Sequence, residues 1–513
     1  MSFSRRQFLR GTSLGLGYLA VSSPMPGWLG NAAAATLSGY AGYRATVCVF
    51  LLGGNDTNNV LVPRDSINHG LYLDARDTLG IPLNELRPIN PVGMAPGAYG
   101  LHPSLEKLQA LFEQERAAFV CNVGPLTLPM RKVNYELGNV PRPDNLFSHS
   151  DQQDAWASGI SNPSSVDLPP ELEGKATGWG GRTADRLHTL NPGDYPEVTS
   201  FGGKALYTTG AERQAMMVSS SGILEMRGTN DGAFNTLRSE ALADVVAVHN
   251  NVTLEASYGG VFTTAQTFSA ARAAARQAAW EALPLATQQY IESRFAPPQG
   301  TSGWTLPKQL FQVVRDLIAG AAPSASGGLG VRRQMFSVGL GGFDTHVGQE
   351  ATQNALLLQV DFALNAFQEA MTRLKTEGLF GANPPQATLF TMSDFGRTLA
   401  ENSDKGSDHG WGSHAIVLGD RVQGRRLHGT YPNLDLSAGA MNNLDSVDAK
   451  GRWLPSLSVD QYGFTLASWL GLGGQADRDH AFPNLTGYVA AATSGGFPAA
   501  ARSYRIPFLL SDP

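Results

Sequence analysis

Each of three apolar, strand-like runs of the sequence ends in a short turn that delivers an acidic residue. The runs and their acids are Ala45–Leu52 with Asp56, Gln334–Leu340 with Asp344, and Ala387–Met392 with Asp394. In an open α/β sheet, ligands bind at the carboxyl ends of the strands, so we expect these carboxylates to converge. Converging acids and histidines are typical of a site for a divalent metal.

The turn after the second run is the most specific of the three. Asp344 and His346 are two residues apart, so in an extended loop both side chains can point to one side and share one ion. Aspartate and histidine suit zinc or manganese, whereas a mainly carboxylate shell would suit calcium or magnesium. The alternative is that Asp344 only caps the following helix and that His346 is incidental.

The other two turns supply further candidate ligands. Asp56 follows two glycines in an Asn-rich loop, and the alternative for it is an Asx turn that caps a helix. Asp394 is followed by a polar segment that contains Asp408 and His409. Acid, histidine and glycine together at the mouth of a sheet are hard to explain by packing, so we predict that all of these residues belong to the metal shell.

A serine at the start of a predicted helix is the candidate nucleophile. The backbone N–H groups beside Ser148 can hold an anion, and next to a metal its hydroxyl would lose a proton near neutral pH. The alternatives are that Ser148 or Ser150 is only an N-cap, or that Thr127 is the nucleophile. His149 or Arg397 is predicted to hold the anionic group of a substrate.

Residues 1–35 are predicted to be a twin-arginine signal peptide. Arg5 and Arg6 precede Phe8, a weakly apolar stretch follows, and Ala32–Ala35 offers a cleavage site. The alternative is a chance pair of arginines at an ordinary terminus. This export route carries folded proteins, which suits a protein that loads its metal before export. We therefore expect the mature protein in the periplasm or outside the cell.

Charge, hydropathy and cysteine content argue against nucleic-acid-binding, membrane-spanning and disulfide-rich proteins. The formal net charge of -6 argues against nucleic acid as the main partner. We see no membrane-spanning stretch in the mature chain. Cys48 and Cys121 lie in apolar runs, where buried free thiols are expected, although export would permit a disulfide.

The order of strand, helix and strand along the chain predicts an α/β fold with a mostly parallel sheet. We assign residues 36–505 to one such domain and 506–513 to a C-terminal tail. Residues from about 190 to 325 are predicted to be a helical insertion or cap, or else helices that flank the sheet. Residues 125–185 are polar and Pro-rich and, apart from a helix that contains Trp156, are predicted to be irregular and to lie over the active face.

In combination these motifs resemble the secreted bacterial domain-of-unknown-function family 1501. The segments that carry the resemblance are the twin-arginine start, Gly53–Asp56, Leu146–Gln152, Gly341–His346, Ser393–Arg397 and Asp408–Gly410. The family is grouped with the alkaline phosphatase and sulfatase superfamily. The resemblance implies a largely parallel sheet with helices on both faces and a metal site at the carboxyl ends of the strands.

The resemblance also has departures. In that superfamily an early Asp, a Ser or Thr nucleophile and a later Asp-His pair hold one metal, and a further Asp and two His hold the other. Asp56 matches the early Asp and Asp394 the Asp of the pair, but Phe395 replaces its His, and Asp344 and His346 are closer than the family's spacing. No Cys-x-Pro-x-Arg segment exists, which disfavours a sulfatase with an oxidised cysteine. One metal, a different ion or no catalysis are the alternatives.

Two main hypotheses follow. The first is an exported hydrolase of phosphate or sulfate esters, acting on a small molecule or polymer and depending on zinc, manganese or calcium. Its predicted metal shell comprises Asp56, Asp344, His346, Asp394, Asp408 and His409. The second is a non-catalytic exported binding or assembly protein that keeps the fold and a structural ion. A metal-dependent oxidoreductase is a third, prompted only by twin-arginine export.

Overall fold

The computed structural model describes residues 42–510 with internal gaps at 192–194, 204, 220–236, 239, 243, 246–252, 378–379, 381–383 and 438–442. The predicted signal peptide and residues 511–513 of the predicted tail lie outside the described residues, as does part of the predicted helical segment.

The described strands form two sheets. In chain order the strands are β1 (Arg44–Leu52), β2 (Leu61–Pro63), β3 (Arg87–Ile89), β4 (Tyr99–Leu101), β5 (Ala117–Gly124), β6 (Val198–Ser200), β7 (Met216–Met217), β8 (Arg333–Gly341), β9 (Gln386–Ser393), β10 (Ser413–Leu418), β11 (Leu427–Gly429) and β12 (Leu457–Ser458). Strands β2, β4 and β3 form the small sheet, and the other nine form the central sheet.

The described α-helices surround the central sheet. In chain order they are α1 (Ser66–Arg76), α2 (Glu106–Glu113), α3 (Lys132–Leu137), α4 (His149–Ser158), α5 (Trp179–Leu187), α6 (Thr253–Glu281), α7 (Leu285–Phe295), α8 (Leu306–Ala321), α9 (Gln349–Thr376), α10 (Val459–Leu470), α11 (Gln475–Ala481) and α12 (Leu485–Ser494). Among these described helices, none combines the length and the hydrophobicity that crossing a bilayer requires.

The central sheet is mostly parallel, as predicted. Its strand order is β11-β5-β10-β9-β1-β8-β6-β7, and β12 pairs with the end of β5. Only β10 runs against its neighbours β5 and β9, while the other pairs are parallel. In register, Leu51 of β1 pairs with Leu340 of β8 and Ser393 of β9. The three acid-bearing turns therefore leave the sheet at the same level.

The side chains of β1 point alternately to the two faces of the sheet, and each face is covered by a hydrophobic core. Ala45, Val47, Val49 and Leu51 join one hydrophobic core, whereas Cys48 joins the other. The first core includes residues of α2, α6, α7, α8 and α9. The second includes residues of α4, α5, α10, α11 and α12. Helices on both faces are thus confirmed.

Two segments differ in detail from the sequence-based expectations. The described part of residues 190–325 contributes β6 and β7 to the edge of the sheet and α6, α7 and α8 to one face, where α8 packs on α9 and β8. These helices flank the sheet. Residues 125–185 contain α3, α4 and most of α5 and are more regular than predicted, and buried side chains such as Trp156 and Trp179 anchor α4 and α5. Cys48 and Cys121 are buried free thiols.

Candidate metal centre

Close backbone packing brings the turns after β1 and β8 together. Gly53 has φ +114°, and a Cβ added there would lie 2.4 Å from the backbone nitrogen of Asp344. Only glycine fits such an approach in this conformation. The backbone N–H of Gly53 also donates to the Asp394 carboxylate at 3.1 Å. The glycine turn therefore joins three strand ends in one site.

Arg397 links the same turns through hydrogen bonds. Its buried guanidinium donates to the backbone carbonyls of Gly53, Gly54, Phe343 and Ser407. It also forms an ion pair with Asp344. Sequence reasoning assigned Arg397 to substrate binding, but these contacts engage it within the protein, where it positions the loops.

Three imidazoles converge on one half-exposed carboxylate. Ligand atoms of His149, Asp344 and His409 all lie within 4.8 Å of one another. Nε2 of His346 lies 2.8 Å from Nε2 of His409 and 3.0 Å from Oδ1 of Asp344. We refer to His149, Asp344, His346 and His409 as the imidazole cluster. It unites predicted metal ligands with His149, which sequence analysis had assigned to anion binding.

The other ring nitrogen of each histidine faces an oxygen. Nδ1 of His149 lies 2.6 Å from the Asp394 carboxylate, and Nδ1 of His409 lies 2.7 Å from the carbonyl oxygen of Phe147. Nδ1 of His346 faces Asp408 at the longer distance of 3.8 Å. An acceptor at Nδ1 places the proton there and leaves Nε2 with a free lone pair, which is the usual arrangement of metal-binding histidines. We infer these tautomers from the partners.

Local electrostatics favour the metal-binding protonation states of Asp344 and His409. Burial acts to raise the pKa of Asp344, but the hydrogen bond and charge of Arg397 lower it below its ordinary value of 3.8. Burial lowers the pKa of His409 below 6.5, and the charge of Arg397 adds to this effect, whereas the hydrogen bond that Nδ1 donates to the carbonyl of Phe147 opposes it. Near neutral pH, Asp344 is ionised and His409 is neutral.

The donor set and its spacing fit a divalent ion. Four ligand atoms at the usual zinc–nitrogen distance form a tetrahedron with edges of about 3.3 Å. Distances of 2.8, 3.0 and 3.4 Å separate Oδ1 of Asp344 and the Nε2 atoms of His346 and His409, while Nε2 of His149 lies 3.5 Å from the other carboxylate oxygen of Asp344. Three nitrogens and a carboxylate suit zinc or manganese better than calcium, which prefers oxygen. Since Asp344 is 47% exposed, the centre opens to solvent.

Asp56, a predicted ligand, lies outside the imidazole cluster. It is fully buried, and its Oδ1 lies 2.8 Å from Nη2 of Arg76 on α1. Its carboxylate also accepts hydrogen bonds from Gln349 and Asn58. These partners occupy the oxygens and neutralise the charge, so the structure gives Asp56 the contacts of a structural carboxylate.

Three other predicted residues lie outside the imidazole cluster. Ser148, the N-cap of α4, donates through Oγ to Asp151 at 2.5 Å. The rival nucleophile Thr127 is buried, with 1% of its surface exposed. Asp408 pairs with Lys450 at 2.7 Å and faces the cluster only through its second oxygen.

Sequence reasoning missed two residues that contact predicted ligands. Gln153 donates to Asp394 at 2.9 Å, beside His149. The spacing of four between His149 and Gln153 is a signal that both face one side of a helix. Nothing in the sequence pointed to Arg76 as the partner of Asp56, because that contact depends on how α1 packs.

The chain matches a protein-family model. A family model described as "Protein of unknown function (DUF1501)" matches residues 43–448. The matched range includes the imidazole cluster and Asp394. A search of curated proteins found no match.

Proposed function

The chain belongs to the DUF1501 family of proteins of unknown function, and we propose that it is an exported, metal-dependent hydrolase of phosphate or sulfate esters. The imidazole cluster carries this proposal. Its Nε2 atoms converge on Asp344 while oxygen acceptors hold the Nδ1 atoms of His149 and His409. We further propose that the fold is alkaline phosphatase-like, which agrees with a parallel sheet whose strand ends carry the site.

The cluster residues would hold one divalent ion, which when bound would polarise an ester oxygen. Phe395 is buried against the rings of His149 and His409, with centroid distances of 4.9 and 4.5 Å. By the sequence resemblance, it stands at the position where the superfamily has a histidine. We therefore propose one ion at this centre, zinc or manganese, rather than two.

The N-terminus of α4 supports an anionic substrate. This helix begins at His149, and within the described residues no side chain caps it. Free backbone N–H groups and the helix dipole favour an anion at such an end. A phosphate or sulfate group beside the cluster would meet both these donors and the ion.

Ser148 remains our candidate nucleophile, since it lies at the same helix end. Asp151 accepts its hydroxyl hydrogen bond and so orients Oγ. Attack by Oγ of Ser148 on the phosphorus or sulfur would break the substrate ester bond, release the alcohol and leave a phosphate or sulfate ester on Ser148, which water would then cleave to release the inorganic anion. We propose export by the twin-arginine route to the periplasm or beyond from the pair Arg5-Arg6.

Metal content and turnover test the proposal together. The mature protein would be compared with the Asp344→Ala/His346→Ala variant and with Asp74→Ala, which removes an exposed carboxylate of α1. We expect about one zinc or manganese per chain in the wild type and the control and none in the double variant. Hydrolysis of p-nitrophenyl phosphate or sulfate should be lost with the metal. Full metal content and activity in the double variant would refute the assignment.

The second hypothesis, a non-catalytic binding or assembly protein, has one observation in its favour. The hydroxyl of Ser148 is engaged with Asp151 and Ser150. If the wild type binds a metal but turns over no ester, and if Ser148→Ala changes neither property, this hypothesis is favoured. Loss of turnover with retained metal in Ser148→Ala would instead identify the nucleophile.

A further inference from the structure

Two histidines of the imidazole cluster lie on loops that are distant in the sequence. His346 follows β8, whereas His409 follows β9 and the polar segment 402–408. The Nε2 atoms of these two residues are nevertheless 2.8 Å apart. A metal site needs its ligands held to within about 0.5 Å by supporting contacts. The contacts between the two loops therefore decide whether the centre is formed before an ion binds.

Segment 402–408 packs directly on the turn that contains His346. Three backbone hydrogen bonds join them, from Gly348 to Asp404 at 3.0 Å, from Gln349 to Lys405 at 2.9 Å and from Ser407 to Thr345 at 3.2 Å. A Cβ added at Gly406 would lie 2.2 Å from the carbonyl oxygen of His346. The absence of a side chain at this position thus permits the close approach of the two backbones.

The amide of Asn402 uses its full hydrogen-bonding capacity between these loops. Its Oδ1 accepts from the backbone N–H groups of Asp404 and Gly406, each at 3.0 Å. Its Nδ2 donates to the carbonyl oxygen of His346 at 3.0 Å and to Oδ1 of Asp408 at 3.2 Å. An asparagine amide has two donor hydrogens and an oxygen with two lone pairs. The four partners therefore define the orientation of the amide.

We propose that Asn402 is a positioning residue of the metal centre. Its amide ties the carbonyl of His346 to the segment whose last residue, Asp408, directly precedes His409. The spacing of the two imidazoles is thereby set before an ion binds. Asn402 is not itself a ligand, since two N–H groups occupy its oxygen. The inference rests on the proposed function only in that it assigns the imidazole cluster to a metal.

Asn402 acts through geometry, because a neutral amide contributes no charge to the centre. Asn402→Ser tests this role selectively. A serine hydroxyl can accept from the same N–H of Asp404, since serine forms the same kind of turn as asparagine. A single hydroxyl cannot replace both donors of the amide. The variant therefore keeps the local turn and loses the contacts that join His346 to Asp408.

Zinc affinity and crystal structures of the metal-free proteins are the two measurements. Asn433→Ser is the matched control, because Oδ1 of Asn433 also accepts from the backbone N–H two residues on, at 3.0 Å, and lies outside the imidazole cluster. Competition with a coloured zinc chelator should show an affinity at least about tenfold lower in Asn402→Ser and unchanged in the control. Without metal, the Nε2 atoms of His346 and His409 should be farther apart in Asn402→Ser than in the wild type.

Equal zinc affinity in Asn402→Ser and Asn433→Ser would overturn the proposal, as would an unchanged separation of the two Nε2 atoms. A loss of affinity that disappears after correction for the folded fraction, measured by urea denaturation, would show a merely structural role. A wild type without metal would contradict the proposed function, and the metal-free structures would still decide the role of Asn402. If Asn402→Ser does not fold, Asn402→Asp is the second variant, because it keeps the acceptor and replaces the donor group with an oxygen. Its Nε2 atoms should be separated in the same way.

Discussion

The carboxylates of Asp56 and Asp344 follow neighbouring strands of one sheet, yet their surroundings differ. Asp56 is fully buried, is paired with Arg76 and accepts further hydrogen bonds from Gln349 and Asn58. Asp344 is 47% exposed and faces three imidazoles. Both were predicted to bind a metal from the same pattern, a strand followed by a glycine turn and an acid.

This difference shows that the position of an acid at a strand end does not decide its role. A guanidinium that donates to both oxygens neutralises the charge of Asp56 and fills its lone pairs. Arg397 contacts one oxygen of Asp344, so the carboxylate of Asp344 keeps the capacity to bind an ion. The partners of the acid distinguish a structural carboxylate from a candidate ligand.

The largest expected effect comes from breaking the buried pair. Asp56→Asn keeps the shape of the side chain but leaves the charge of Arg76 buried without a counter-charge. We expect the free energy of unfolding to fall by about 3–5 kcal/mol, measured by urea denaturation of the metal-free protein. Metal binding by the folded fraction should be unchanged, because Asp56 lies outside the imidazole cluster.

An exposed ion pair is the control for this change. Glu106 pairs with Arg87, and its side chain is 74% exposed. Glu106→Gln should change the free energy of unfolding by about 0–1 kcal/mol. Similar values for the two variants, or loss of the metal in Asp56→Asn, would contradict the structural role of Asp56.

The sequence predicted much of the site because its main elements are local. Apolar runs followed by short turns located Asp344, His346 and Asp394 at strand ends. The ion pair of Asp56 could not be predicted, since Arg76 reaches it only through the packing of α1. The contact of His149 with Asp394 likewise joins residues that are distant in sequence.

The same limit applies to the fold. The buried runs of β1, β8 and β9 predicted a parallel sheet, and this is confirmed. Strand β10 is equally apolar, but its antiparallel direction depends on the path of the loop before it, which periodicity does not encode. The short strands β6 and β7 are two or three residues long, too short for a pattern to be recognised.

Removing the acceptor behind His149 should weaken the metal site without removing a ligand. Asp394→Asn replaces the carboxylate that faces Nδ1 of His149 at 2.6 Å. Changes to such outer partners lower metal affinity by about 10–100-fold. Competition with a coloured zinc chelator would measure this. Asp420→Asn, which alters a carboxylate held by Arg116 and Lys375, should leave affinity unchanged.

Acid should weaken the metal-free protein through His409. Its pKa in the folded state is lowered by burial, so below pH 6.5 the unfolded chain takes up a proton that the folded protein resists. Stability is therefore lost as the pH falls through this range, by less than about 1.4 kcal/mol per pH unit. Urea denaturation with chelator at pH 7.5 and 5.5 would show a smaller change in His409→Gln. An equal change in both proteins would contradict this.

The smallest effect is expected at Asp408. Like Asp394, this carboxylate faces an Nδ1 atom of the imidazole cluster, and the two variants can be compared. Its oxygen lies 3.8 Å from Nδ1 of His346, beyond hydrogen-bonding range, and Lys450 holds its other oxygen. Asp408→Asn should therefore lower zinc affinity by no more than about threefold, well below the effect of Asp394→Asn. A loss as large as that of Asp394→Asn would mean that Asp408 closes on His346 when the ion binds. The Nδ1 atoms of all three imidazoles would then have an oxygen partner within hydrogen-bonding distance. The residues around Asp344 would be as fully hydrogen-bonded as those around Asp56.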